Sequence, residues 1–460
     1  MREPVDHESL HRTAKYFMDS GRAASPEAAM DILEQFGLTI AVGGEIAHSA
    51  QHQAALLTLV NTARRTLLGG IEVFGLPDCA SLTRLAPDRS LIDAVRELGG
   101  IPVSTVRESW PSALIGNASA VGSAAPCWRL TWEGWRGGVI SARRDQRLGE
   151  TDAISLSPAL AAAACAAEAF SYHAGDHPMA GRRAAGLSLW RPGSDWLTAD
   201  PDEPALAYLP SRLWLIGLGN LGQAFAWLLA SLPYDDPTQV QLVLQDFDRI
   251  ALSNDSTSLL SFIADIGRRK ARTVSDWLEA RGFDVFLDEH RFGPWTRRGD
   301  DEPAAALCGV DNALARAALD GAGFDLVVEA GLGAGPQAFR SISMHSFPAS
   351  RSAAEIWSRQ VALGADNYED QPAYRALKDA GMDPCGLALL ASRTVGVPFV
   401  GLIAGCLVIS ELLRRLNGGV ALEFASGSAA ALENFECGIL EAPPYAAGHV
   451  AAKPPAARHP

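Results

Sequence analysis

The stretch Leu213–Ala230, "LWLIGLGNLGQAFAWLLA", runs from apolar residues through three glycines into an amphipathic run of helix formers. A strand that ends in Gly217-x-Gly219-x-x-Gly222 and passes directly into a helix presents backbone N–H groups at a helix N-terminus, where phosphates are received. Strand and helix keep alternating downstream. "VQLVLQDFD" (240–248) reads as a strand, "GRRKARTVSDWLEARG" (267–282) as a helix, and "FDLVVEAGLG" (324–333) as a strand. "PFVGLIAGCLVISELLRRLNG" (398–418) reads as a long helix rich in small residues and closed by Gly418. Such alternation specifies a parallel sheet covered on both faces.

The first half repeats the plan in a weaker form. "GLTIAVGG" (37–44) is a strand ending in glycines, "QHQAALLTLVNTARRTLLGG" (51–70) the helix after it, and "IEVFGLPD" (71–78) a second strand ending near Asp78. "PALAAAACAAEAFSYHAG" (158–175) parallels the small-residue helix at Pro398, and "GLSLWRPGS" (186–194) parallels "VALEFASGS" (420–428). Duplication explains two copies of one layout. The fold class is therefore α/β, with two Rossmann-like doubly wound domains in one chain. The first copy lacks G-x-G-x-x-G and has no lysine after Lys15, so it is expected to have lost its site. The expected division is a degenerate domain over 1–196, a Pro- and Asp-rich linker over 197–212, an active domain over 213–443 with an insertion at 350–385, and a disordered Pro/Ala-rich tail over 444–460.

With 460 residues, 48% hydrophobic and 20% charged, the composition is that of a globular chain of two domains. The net charge of −14 argues against nucleic acid or an anionic membrane as partner. The first residues, "MREPVDHESLHR", show no secretory signal, and the longest apolar run, Gly396 to Ile409, is too short to span a bilayer. Seven scattered cysteines without any C-x-x-C indicate neither a disulfide scaffold nor a four-thiolate zinc site, and a reducing cytoplasm is expected.

The glycine turn alone leaves hydride transfer with a dinucleotide and phosphoryl chemistry with ATP tied, because Asp246 at the next strand end suits ribose hydroxyls in either. Later residues separate them. "DFDRIALSN" places Asp246, Asp248 and Asn254 on a strand end and its loop, and "DIGRRKA" puts Lys270 at a helix start. Only four of the 39 Lys plus Arg residues are lysine, so a lysine here reads as a point charge for phosphate. "CGVDNALARAAL" adds Asp311, Asn312 and, one turn on, Arg316. A lysine on phosphates and an aspartate on Mg²⁺ suit attack at an α-phosphate, and hydride transfer needs neither.

At "GLGNLG", "DFDxxxxSN", "GRRKA", "DN" with Arg316, and "VGVPFVGLIAG", the sequence over 210–420 resembles the ubiquitin-activating enzyme family and its bacterial ThiF/MoeB-type relatives. The resemblance implies ATP-dependent adenylation of the C-terminal carboxylate of a ubiquitin-like protein. It places Asp246 on ribose, Lys270 on phosphates, Asp311 on magnesium and Asn254 close to the phosphates. Family members work as dimers or fused pseudo-dimers with one inactive half, and a homo-oligomer of this chain remains open. An arginine from an N-terminal helix of the inactive half commonly reaches across, and Arg12 in "ESLHRTAKYF" is the candidate. Where the family has an arginine three residues past the Asn, this chain has Thr257, so Arg268, Arg269 or an arginine of the first half must compensate.

Cys385, in "PCGLALLASRTVGVPFVG" after the insertion, partly matches the place where some members carry the thioester cysteine, with Lys378 and Arg393 near enough to lower its pKa. A conjugating enzyme would then receive the acyl group, in the setting of a bacterial ubiquitin-like cassette for antiviral defence. The alternatives are adenylation without a thioester (sulfur-carrier activation or peptide modification), a nicotinamide oxidoreductase, and a non-catalytic scaffold.

Overall fold

The computed structural model describes residues 9–121, 125–144, 146–151, 154–357 and 371–453. The first half forms a seven-stranded sheet from β1 (Gly37–Val42), β2 (Gly70–Phe74), β3 (Gly100–Val103), β4 (Ser112–Ile115), β5 (Cys127–Glu133), β6 (Arg136–Ser141) and β7 (Ala185–Ser188). Their order is β3-β2-β1-β4-β5-β6-β7. After the short β8 (Tyr208–Pro210) come β9 (Arg212–Ile216), β10 (Gln241–Gln245), β11 (Asp284–Asp288), β12 (Ala305–Cys308), β13 (Leu326–Leu332), β14 (Ser341–Phe347), β15 (Ala421–Ser428) and β16 (Ala431–Leu440). These order as β11-β10-β9-β12-β13-β14-β15-β16, the same permutation with one hairpin strand added.

Pairing repeats as well as order. In both sheets the first five strands are parallel and the next two antiparallel. The duplicated layout read from the sequence is thus present strand for strand. The parallel strands β1 and β9 are buried nearly throughout, as strands covered by helices on both faces must be.

The two halves share one core. Helices Leu156–Ala174 and Pro398–Leu416 occupy equivalent places and pack against each other. Their small residues allow close approach: a Cβ on Gly405 would sit 2.9 Å from Leu228 of helix Asn220–Ser231. Polar contacts lock the interface. Fully buried Arg65 donates to the carbonyls of Asp255, Leu259 and Ser261, and Asn61 donates to the Leu259 carbonyl at 3.1 Å. Trp227 donates its ring N–H to Thr58 at 3.0 Å.

Three expectations need correction. The strand expected to end near Asp78 ends at Phe74, because Gly75 takes a left-handed φ of +78°. The linker expected over 197–212 contains β8 and the first residue of β9, and Glu203 within it accepts the Trp135 backbone N–H at 2.6 Å. The tail expected to be disordered contributes β17 (His449–Ala451), antiparallel to β8. A three-residue strand with unsatisfied edge groups recruits the tail despite its Pro/Ala-rich composition. Within the insertion, helices Ala353–Trp357 and Pro372–Asp379 form, and helix Pro384–Ser392 starts at its end. Tyr374 there donates to Asp19 at 2.7 Å and accepts from buried Lys15, tying the insertion to the N-terminal helix Ala14–Asp19.

Candidate functional site

The quoted glycines have three separate causes. Gly217 turns the chain off β9 with φ +81°, a conformation L side chains rarely adopt. A Cβ on Gly222 would lie 1.9 Å from the Gly217 carbonyl oxygen, so helix Asn220–Ser231 could not start so close to the turn. A Cβ on Gly219 would meet nothing within 4 Å. No protein atom demands glycine there, and the residue lines an open crevice.

That crevice, about 500 Å³, lies at the carboxyl ends of β9, β10 and β12, beside the point where strand order reverses. Gly217, Gly219, Asp246, Asn254, Lys270 and Asp311 all line it, as do Arg12 and Arg393. These residues, with Asp248 and Asn312, are therefore brought together by the fold, whereas Gly222 is not among the lining residues.

Asp246, at the end of β10, accepts the N–H of Leu218 at 2.6 Å and of Asp248 at 2.7 Å, fixing the glycine turn to the strand end. Burial raises its pKa, against the pull of Lys270. Each carboxylate oxygen keeps a further lone pair for a hydroxyl donor. Lys270 opens helix Lys270–Glu279; its Nζ lies 3.0 Å from Asp248 Oδ2 and its N–H donates to the Asp248 carbonyl. Asp311 is exposed and, among the described residues, accepts no hydrogen bond. The amide oxygens of two further candidates serve their own backbone. Asn254 accepts from Ala251 at 2.9 Å, and Asn312 caps helix Ala313–Ala317 through Leu314 and Ala315.

Arg12 enters from the other half. Its backbone N–H donates to Ser256, and its guanidinium donates to the Thr394 carbonyl at 2.9 Å through Nε. Burial, then repulsion from Arg393, pushes its pKa down to about 10, so it stays cationic at neutral pH. Of the proposed compensators for Thr257, Arg268 and Arg269 point elsewhere. Arg268 pairs with Asp265 and Asp276 on the surface, and Arg269 donates to the Phe247 carbonyl. Arg316 lines the crevice but is committed to buried Glu329 and lies 3.3 Å from the Trp357 ring. Glu329 also holds His345 Nδ1 at 2.6 Å, a network joining residues far apart in sequence that no local pattern announced.

Cys385 belongs to helix Pro384–Ser392, and its side chain lies outside the described residues. The six described cysteines are all shifted away from thiolate character. Burial pushes Cys308 up to about 12 and raises Cys165 and Cys406 further. Cys79, Cys127 and Cys437 are raised too, chiefly by burial.

The residues fit a nucleoside triphosphate and a divalent cation. The open side of Gly219 and the helix N-terminus accept phosphate, with Lys270 and Arg12 beside it. No cluster of three or more His, Cys, Asp or Glu forms a closed metal cage among the described residues. One unengaged carboxylate, Asp311, matches the way Mg²⁺ is taken up with phosphates and water.

A mixed α/β pseudo-dimer with one glycine-turn crevice, completed by an arginine of its degenerate half, is the class of molecule that fold and site define. Family descriptions of the BilD N-terminal and C-terminal domains match residues 37–189 and 209–419. A bacterial E1-like protein BilD of Collimonas sp. (strain OK412) is 65% identical over 450 residues, 98% of each chain. The chain belongs to the BilD family of bacterial E1-like proteins. Among solved structures, Escherichia coli MccB is similar at 11% identity and a TM-score of 0.33, covering 50% of this chain and 62% of MccB. PaaA is similar at 16% identity and a TM-score of 0.33, covering 50% of this chain and 64% of PaaA. The alignment thus spans less than two thirds of either structure's length.

Proposed function

We propose that this crevice adenylates the C-terminal carboxylate of a ubiquitin-like protein. The convergence of Gly219, Lys270, Asp311 and Arg12 on one cavity carries this reading. A substrate carboxylate oxygen attacks the α-phosphorus of ATP, the α–β bridging P–O bond breaks, and pyrophosphate leaves with the electron pair. Asp246 receives the ribose hydroxyls. Lys270 and Arg12 offset the negative charge that grows on the phosphates, most effectively in a partly buried site. Asp311 would hold Mg²⁺, which supplies further charge neutralisation.

The acyl adenylate then passes to Cys385, whose thiolate displaces AMP, and onward to a conjugating enzyme in the cytoplasm. The raised pKa values of the six described cysteines support leaving that role to the seventh. No helix among the described residues is long and apolar enough to cross a membrane, and the acidic chain disfavours a nucleic-acid partner. One assay tests both steps. ATP–pyrophosphate exchange with a ubiquitin-like substrate should vanish in Asp311→Ala, and a thiol-sensitive adduct should form in the parent protein but not in Cys385→Ala. Unchanged exchange in Asp311→Ala, or tight NAD binding without exchange, sinks the adenylation reading. An adduct surviving in Cys385→Ala removes only the thioester step.

A further inference from the structure

The crevice holds a cation that none of the described residues engages. Arg393 follows helix Pro384–Ser392 and lines the crevice together with Arg12 and Lys270. Lys270 is engaged by Asp248 and Arg12 by the Thr394 carbonyl, whereas Arg393 makes no side-chain hydrogen bond or ion pair among the described residues. It stands beside Arg12 closely enough to depress that residue's pKa. Two guanidinium groups side by side on one cavity wall, one of them unengaged by the described residues, mark a place prepared for an anion.

Arg393 also lines a second hollow, of about 790 Å³, which adjoins the crevice and shares Asp248, Ser253, Asn254 and Lys270 with it. The two cavities meet along Lys270 and Arg393. A nucleotide with its ribose at Asp246 and its α-phosphate near Asp311 would send its outer phosphates toward that junction.

The segment carrying Arg393 sits where it does because position 257 is small. A Cβ on Gly396 would lie 2.7 Å from the Thr257 methyl, so the chain just past Arg393 rests directly on that residue. Thr13 and Arg12 pin the same segment, Thr13 Oγ1 donating to the Gly396 carbonyl at 3.2 Å. A long side chain at 257 would have to displace it.

We propose that Arg393 grips the β- and γ-phosphates of ATP and stabilises departing pyrophosphate, supplying from the segment before the terminal helix the charge that Thr257 lacks. This rests on the adenylation reading and adds a residue to it. Arg393 is surface-exposed, so its replacement leaves the fold intact.

Isothermal titration of the full chain with MgATP and with AMP separates the possibilities. Arg393→Gln should weaken MgATP by about tenfold to a hundredfold, the worth of a charge-assisted contact, and leave AMP unchanged. Arg393→Lys should recover most of the loss. Equal weakening of both ligands, or no change for either, overturns the assignment while leaving adenylation standing. Failure of the parent protein to bind MgATP overturns both.

Discussion

Arg65 belongs to the degenerate half, yet its guanidinium is buried against the loop that follows Asp246 in the other half. It donates to the carbonyls of Asp255 and Ser261, which have no other described donor, and shares the Leu259 carbonyl with Asn61. Replacement with methionine keeps the volume and strands the buried Ser261 carbonyl and the partly buried Asp255 carbonyl, each costing about 1–3 kcal/mol. A total of about 3–5 kcal/mol is expected from the loop's anchorage, and a fall of several degrees in the unfolding midpoint. The same loop carries Ser253 and Asn254 on the crevice wall, so MgATP affinity should fall with it. Differential scanning calorimetry and titration with MgATP, run on Arg65→Met and the parent, check both effects. An Arg65→Met protein that melts at the parental temperature and binds MgATP unchanged would refute the idea that the first half supports the second's site.

Two further perturbations read other features. Gly219→Ala should fold normally, its Cβ meeting no protein atom, yet lose nucleotide binding; Gly222→Ala, whose Cβ would press on the Gly217 carbonyl, should lose thermal stability as well. Equal behaviour of the two variants in melting and titration would remove the phosphate cradle at Gly219. His11, beside Arg12, has a buried Nδ1 with no hydrogen-bond partner, and burial pushes its pKa from 6.5 down to about 4. The unfolded chain therefore binds the extra proton between those values, so the associated stability is complete above pH 6.5 and lost as pH falls toward 4. The full difference amounts to about 3 kcal/mol, so the protection factors of amides over residues 9–20, corrected for the intrinsic exchange rate at each pH, should fall from pH 7 to 5 in the parent but much less in His11→Gln; identical slopes would refute it.

Much of the fold was legible because its signals are local. Each parallel strand is a short apolar run and each crossover an amphipathic one, so the repeat at Gly37 and Leu213 could be seen without a structure. Asp246, Lys270 and Asp311 were legible for the same reason: each stands at the end or start of an element, where position along the chain implies position at the sheet edge. What escaped depends on contacts between distant segments. Nothing near Arg393 in sequence says that it meets Arg12, some 380 residues away, and nothing near Glu329 announces both Arg316 and His345. The tail's pairing with β8 was hidden because three residues are too few to show a period. Cys385 rests on sequence alone.

The covalent joining of the halves has a consequence of its own. In an assembly of separate subunits, the arginine that crosses over is present only while the subunits stay associated. Here Arg12 is tethered to the crevice it lines and Arg65 to the loop beside it, and their local concentration is set by chain geometry rather than by how much protein surrounds them. The cavity is therefore whole at any dilution. The first half carries no such carboxylate: Gly75 stands where Asp246 would, and Glu45, just past β1, accepts the Asn117 N–H.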